Sequence, residues 1–199
     1  SRGLGDVYKR QTETVFVNGR RVADAEAASG VVALRFVALA GKASQGASHS
    51  LVVKAGETLV LLESHEGHAS GYVSDVLLDI AVGEGASVER IVLVEDEAEA
   101  VNVVTAEVVL APNARYAQTV LTGGARRQRI ETRVSHPGAH AQVRLDGAYL
   151  LDGQRHADQT TVVTHAGVDG ITSQLTKGMV TDQARGVFQG RIIVAEGAD

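Results

Sequence analysis

An all-β fold, a right-handed parallel β-helix, is predicted for this 199-residue chain by three observations. Turn signals return at Ala55-Gly56-Glu57, Gly85-Ala86-Ser87, Asn113-Ala114-Arg115, Gly138-Ala139-His140, Gly167-Val168-Asp169 and Gly197-Ala198-Asp199, about 25 to 30 residues apart, as in a stacked repeat. Each signal is flanked by short apolar runs, and helical spacing is nowhere sustained. The chain is 44% hydrophobic but 4% aromatic, without Trp, so its core must be built from Val, Leu, Ile and Ala in thin, repeated layers. Rungs stacked in register bury such layers as columns of like residues. The hand follows from the general preference of parallel crossover connections. An antiparallel sandwich also uses short strands and regular turns, but it gives no reason for the signals to recur at a nearly constant interval.

Taken in order, Ser1 to Gln11 resembles translated adapter sequence and is expected to be a non-native leader. Residues 12–48 are expected to form a small irregular N-terminal part. Within it, TVFVNGRRV reads as a hairpin turning at Asn18-Gly19, Ala23 to Ala28 as a short helical turn, and Gly41 to Ser48 as a loop. Val31 to Ala40 is an apolar run too short to assign by periodicity. The β-helix is expected over 49–199, with Val53, Leu61, Val82, Val92, Leu110, Val120, Val134, Leu145, Val163 and Ile192 pointing into its bore. Strand periodicity, turns and placed polar residues agree most closely from Arg155 to Val194. There His156, Asp158, Thr160, Val162 and Thr164 share one strand face, and both faces carry polar groups. The run Gly186 to Val194 is expected to be a strand that no later rung covers, an unprotected edge.

The formal net charge of −5 argues against a nucleic-acid partner or an anionic membrane surface. With no Cys, the chain forms no disulfide and offers no thiolate to zinc or to an iron–sulfur cluster. No apolar run approaches the roughly 20 residues that span a bilayer, and no basic-then-apolar leader opens the chain, so a cytoplasmic location is expected.

Several groups could carry chemistry. Glu63, His65, Glu66 and His68 crowd into LLESHEGH, but no helix is plausible there to bring two His one turn apart, and a solvated turn is the plainer reading. His136 and His165 each lie two residues before a turn glycine, Gly138 and Gly167, so register would stack them about 4.8 Å apart, within reach of one metal ion. A polar column lining a corner is the plainer reading there, and His140 is a further neighbour. His156 and Asp158 share a face as in an acid–base dyad, but no nucleophile accompanies them. Gly83-Glu84-Gly85 and Gly123-Gly124 open no helix and carry no Walker lysine, so they read as turns.

The segments LVLLESHEG, DIAVGEGASVERIVLV, LDGAYLLDGQRHAD, RHADQTTVVTH and SQLTKGMVTDQARGVFQGRIIV, in this order and spacing, cover nearly everything after His49. On them the chain resembles the core domain of the SufB/SufD family, the scaffold pair of the SUF iron–sulfur cluster assembly system, and the SufD branch in particular. The resemblance implies a non-catalytic scaffold whose β-helix pairs with that of a SufB-like protein, with a SufC-like ATPase gripping a helical C-terminal domain. That domain and the family's late SHGA-type motif would lie past Asp199, so the chain is expected to be truncated before them. No cofactor is expected on this chain alone; iron or a cluster would sit at the interface with SufB. His136 and His165 are the candidate metal ligands, and His156, Asp158 and Arg191 the candidate partner-facing residues. The alternatives are a β-helix polysaccharide lyase or hydrolase, opposed by the few aromatic platforms for sugar rings, and an exported structural solenoid.

Overall fold

The computed structural model describes residues 11–23 and 29–198. Every regular element among them is a strand. β1 (Gln11–Val17) and β2 (Arg20–Ala23) form an antiparallel hairpin, closed by Asn18 at φ 47° and Gly19 at φ 77°, the two positive values that such a two-residue turn requires. After it come β3 (Gly30–Ala38), β4 (Ser44–Val53), β5 (Thr58–Gly67), β6 (Val73–Val82), β7 (Ser87–Glu95), β8 (Val101–Leu110), β9 (Arg115–Thr122), β10 (Arg127–His136), β11 (Gln142–Leu151), β12 (His156–His165), β13 (Ile171–Val180) and β14 (Arg185–Val194).

Successive strands alternate between two sheets. One runs β13-β11-β9-β7-β5-β3-β1-β2 and the other β14-β12-β10-β8-β6-β4, and all neighbours except the hairpin pair are parallel. Each rung is therefore one strand from each sheet, and the stack is a β-helix of about 6 turns. Columns are visible in the register: Val76 pairs with Val104 and Val104 with Ile130. The side chains alternate strictly, as in β6, where Ser74, Val76, Leu78, Ile80 and Val82 are buried and their neighbours exposed.

The turn signals have a specific basis. Gly56, Gly85, Asn113, His140, Asp169 and Gly197 all have positive φ, and they lie along one edge of the stack. Gly56 N donates to Glu84 O, Gly85 N to Pro112 O, Asn113 N to Ala139 O and His140 N to Val168 O, at 2.9 to 3.0 Å, so each corner bonds to the next one up. A residue able to adopt the left-handed conformation must therefore recur once per rung, which is the repeat seen in the sequence.

Nine of the ten expected bore residues, Val53 through Val163, are at most 3% exposed. Ile192 differs. It continues the column below Val163 but is 55% exposed, because β13 and β14 end their sheets and no described rung covers their far side. The loop expected over Gly41 to Ser48 is also corrected, since β4 begins at Ser44 and pairs with β6 from there. Val31 to Ala40 supplies β3, whose Val32, Leu34, Phe36 and Ala38 are buried. The helical turn expected from Ala23 falls on 24–28, outside the described residues, as does all of the leader except Gln11.

Candidate functional site

Three groups of buried polar side chains stand out among the described residues. The first is on β5, where period-two alternation splits LLESHEGH between two faces. Glu63 and His65 point inward and are 2% exposed, while Glu66 points outward and meets Arg35 through two bonds of 2.7 Å. The run is thus neither a solvated turn nor a single ligand cluster. His65 Nε2 donates to Glu63 Oε1 at 2.7 Å, and Arg90 from β7 grips both Glu63 oxygens at 2.8 and 2.9 Å. Arg90 Nη1 continues to Gln118 Oε1 at 2.8 Å, which also accepts from Tyr116 and Thr132. Burial alone would raise the Glu63 pKa, but the Arg90 charge, with His65, outweighs it and lowers the value from 4.5 to about 2. Phe16, Phe36 and His65 stack as a column with centroid separations of 5.1 and 4.9 Å. The carboxylate, the guanidinium and the Gln118 oxygen have their partners, so the group locks three rungs together and offers no open ligand position.

The second place is the corner after β10 and β12. His136 and His165 are register partners, with ring centroids 4.1 Å apart at 79°, so the equal offset from the two turn glycines does bring them together. His136 is fully buried, and neither of its ring nitrogens has a hydrogen-bond partner. Burial first, and then the neighbouring His165, lowers the His136 pKa and favours the neutral ring. His165 Nε2 shares a hydrogen bond of 2.9 Å with Thr172 Oγ1. A side-chain carbon at Gly170 would lie 3.1 Å from Nδ1 of both rings and closer still to His136 Cε1, so glycine is what makes room for the imidazole pair at this corner. His140 stands apart, exposed and 3.5 Å from Asp169. Among the described residues no group of three or more His, Cys, Asp or Glu is placed to hold a metal ion.

The third place is the corner between β7 and β8. Asp96 accepts from Tyr72, from Asn102 Nδ2 at 2.9 Å and from Gln128 Nε2 at 2.8 Å, which closes the corner.

On the outer face, Asp158 is held by Arg129 at 3.0 Å and Thr160 at 2.8 Å, so its carboxylate serves an ion ladder. That ladder runs on through Glu131 and Arg133 to Glu107. His156, half-buried, opens β12, and its backbone bridges to Ala125. Arg191 is exposed on β14. Arg90 was missed by sequence reasoning. The signal was present, since Val88, Arg90, Val92 and Val94 alternate inward along SVERIVLV.

These features define a cysteine-free parallel β-helix with a saturated ion network in its bore and a pair of imidazoles at one corner. Residues 36–199 match the SUF system FeS cluster assembly, SufBD core domain family, and the chain belongs to that family. An iron–sulfur cluster assembly SufBD family protein of Synechocystis sp. is 23% identical to it over 127 residues, 64% of this chain and 28% of that protein. The matched stretch thus spans less than a third of the relative's length. No solved structure matches.

Proposed function

We propose that the chain is a SufD-like, non-catalytic scaffold of iron–sulfur cluster assembly in the cytoplasm, acting beside a SufB-like β-helix and a SufC-like ATPase. The observation that carries this reading is the family match over residues 36–199 on a chain whose parallel β-helix contains no Cys. A cluster needs thiolate or equivalent ligands, and here a partner must bring the sulfur. A protein partner is supported by outward-facing Leu93, Leu121, Leu150 and Met179, 41 to 69% exposed, which line a groove of about 1250 Å³. His136 and His165 are 0% and 8% exposed, so a metal ion between them would be held by side chains of this chain. The unpartnered nitrogens of His136 fit such an ion, whereas both Glu63 oxygens are taken by Arg90 and His65 Nε2 is taken by Glu63. Its test is titration with Zn²⁺ read on the imidazole nitrogens by NMR, where His136 and His165 should shift ahead of exposed His68 and His140.

The sugar-cutting alternative loses support. Phe16, Phe36, Tyr72 and Tyr116 are buried, so none of these four can serve as a platform for a sugar ring. Co-expression with SufB-like and SufC-like proteins, followed by affinity capture and gel filtration, tests the proposal. Retention of the SufB-like protein is the expected result. A chain that ignores both partners and depolymerises an acidic polysaccharide would overturn it.

A further inference from the structure

On the edge opposite the glycine corners, where β11 passes to β12, a recess of about 430 Å³ is lined by Arg127, Gln154, Arg155, His156, Gln183 and Arg185. That volume lies within the range of small-ligand sites. All six side chains can donate hydrogen bonds, and none is a carboxylate. This composition is not inherited from the chain, whose formal charge is −5. It comes from register. His156 pairs with Arg185 on the next rung, and Arg127 lies two residues before Arg129, the partner of Asp158, so Arg127, His156 and Arg185 occupy one outward column on three successive rungs. With rungs about 4.8 Å apart, the column spans about 10 Å.

Its members are held differently. Arg155 is anchored at the back, donating from Nη1 to the carbonyls of Gly124 at 2.7 Å and Asp96 at 3.3 Å, with Asp152 3.5 Å from Nε. Arg127 donates to the Arg126 carbonyl at 2.7 Å. Neither Arg127 nor Arg185 forms an ion pair among the described residues. Two other guanidiniums on the same face are neutralised, Arg129 by Asp158 and Glu131, and Arg133 by Glu131 and Glu107, whereas Arg191, farther along β14, has no ion pair among the described residues. Arg127 and Arg185 are like charges two rungs apart with Arg155 beside them, and an anion lying along the column offsets their repulsion.

We propose that the recess binds a small polyanion of the oligophosphate class, with Arg127 and Arg185 at its two ends and Arg155 and His156 between them. Phosphate is favoured over carboxylate because each phosphoryl group carries several oxygens, so neighbouring guanidiniums can share one group while each keeps charge-assisted bonds. The proposal stands independently of the iron–sulfur reading, since no metal or partner chain enters it.

The test is calorimetric titration of the full chain with inorganic triphosphate, with citrate and a glutamate hexapeptide as competing anions. One triphosphate per chain is expected, weakened about tenfold by each of R127E and R185E, less by R185Q, and unchanged by R115E, which alters an exposed Arg on the opposite edge. Equal weakening by R115E would show diffuse attraction to basic surface and overturn the proposal. Tighter binding of the peptide would overturn it in favour of an acidic protein segment, tighter binding of citrate would overturn the phosphate class, and the absence of triphosphate binding would overturn the site.

Discussion

From β5 to β9 the inward-facing polar side chains satisfy one another, whereas from β10 to β13 several keep atoms without a partner. Glu63, His65, Arg90 and Gln118 form one connected network with bonds of 2.7 to 2.9 Å. Further along the bore, both nitrogens of His136 and the Nε2 atoms of Gln159 and Gln174 lack partners. A void of about 10 Å³ beside Gln159 and Thr161 is at the lower bound for one water molecule. Asn102 Oδ1 on β8 is the exception in the first region, and its amide nitrogen already serves Asp96. The difference separates two uses of buried polarity. A saturated network can carry a full charge into the bore and fix the rungs around it, while unsatisfied neutral donors mark positions open to a guest.

The largest effect should come from breaking the saturated network. Arg90→Met leaves Glu63 buried without its counter-charge and should cost about 3 to 5 kcal/mol in urea unfolding. Adding Glu63→Gln should recover part of that loss, because the double variant no longer buries an unpaired carboxylate. A single variant within about 0.5 kcal/mol of the parent would remove the contrast between the two regions.

Acid should act on the same region. Because the Glu63 pKa falls from 4.5 to about 2 on folding, the stability it contributes is fully present above pH 4.5 and is lost as the pH falls toward 2. Outward-facing Glu66, lowered to about 2 chiefly by its bonds to Arg35, adds to the same acid limb. Glu63→Gln should therefore flatten, without abolishing, the decline of the thermal midpoint between pH 4.5 and 2. An unchanged slope would place the acid sensitivity elsewhere.

The smallest effect is expected in the second region. His136→Leu removes two unpartnered nitrogens from a buried site and should change stability by less than about 1 kcal/mol in either direction. A loss of about 3 kcal/mol or more would show that His136 is bonded in solution, and it would bring the corner into the same class as the Arg90 network.

How much of this was legible follows from the range of each constraint. The corners were legible because a positive φ at Gly56, Gly85 or Asn113 is a local demand met by few residue types. The meeting of His136 with His165 followed from two such corners, since equal offsets in a stacked repeat mean equal register. Ser44 to Ser48 was less legible, because small polar residues there look like a loop until β6 offers its edge for pairing. Arg90 and Gln118 lie 28 residues apart, and their bond exists only once the rungs stack. The triple column of Arg127, His156 and Arg185 was hidden for the same reason. The sequence sets His156 on one strand face with Asp158, whereas the structure aligns it across the rungs with Arg185.

Iron and acid-labile sulfide in a purified assembly test the central claim most directly. The chain is to be co-expressed with SufB-like and SufC-like proteins under anaerobic conditions, and the complex compared with each component alone. Iron and sulfide in near-equal amounts are expected in the complex and absent from this chain by itself, which has no thiolate to hold a cluster. A complex without sulfide, or a cluster on this chain alone, would contradict the reading of the molecule as a scaffold that depends on a partner's ligands.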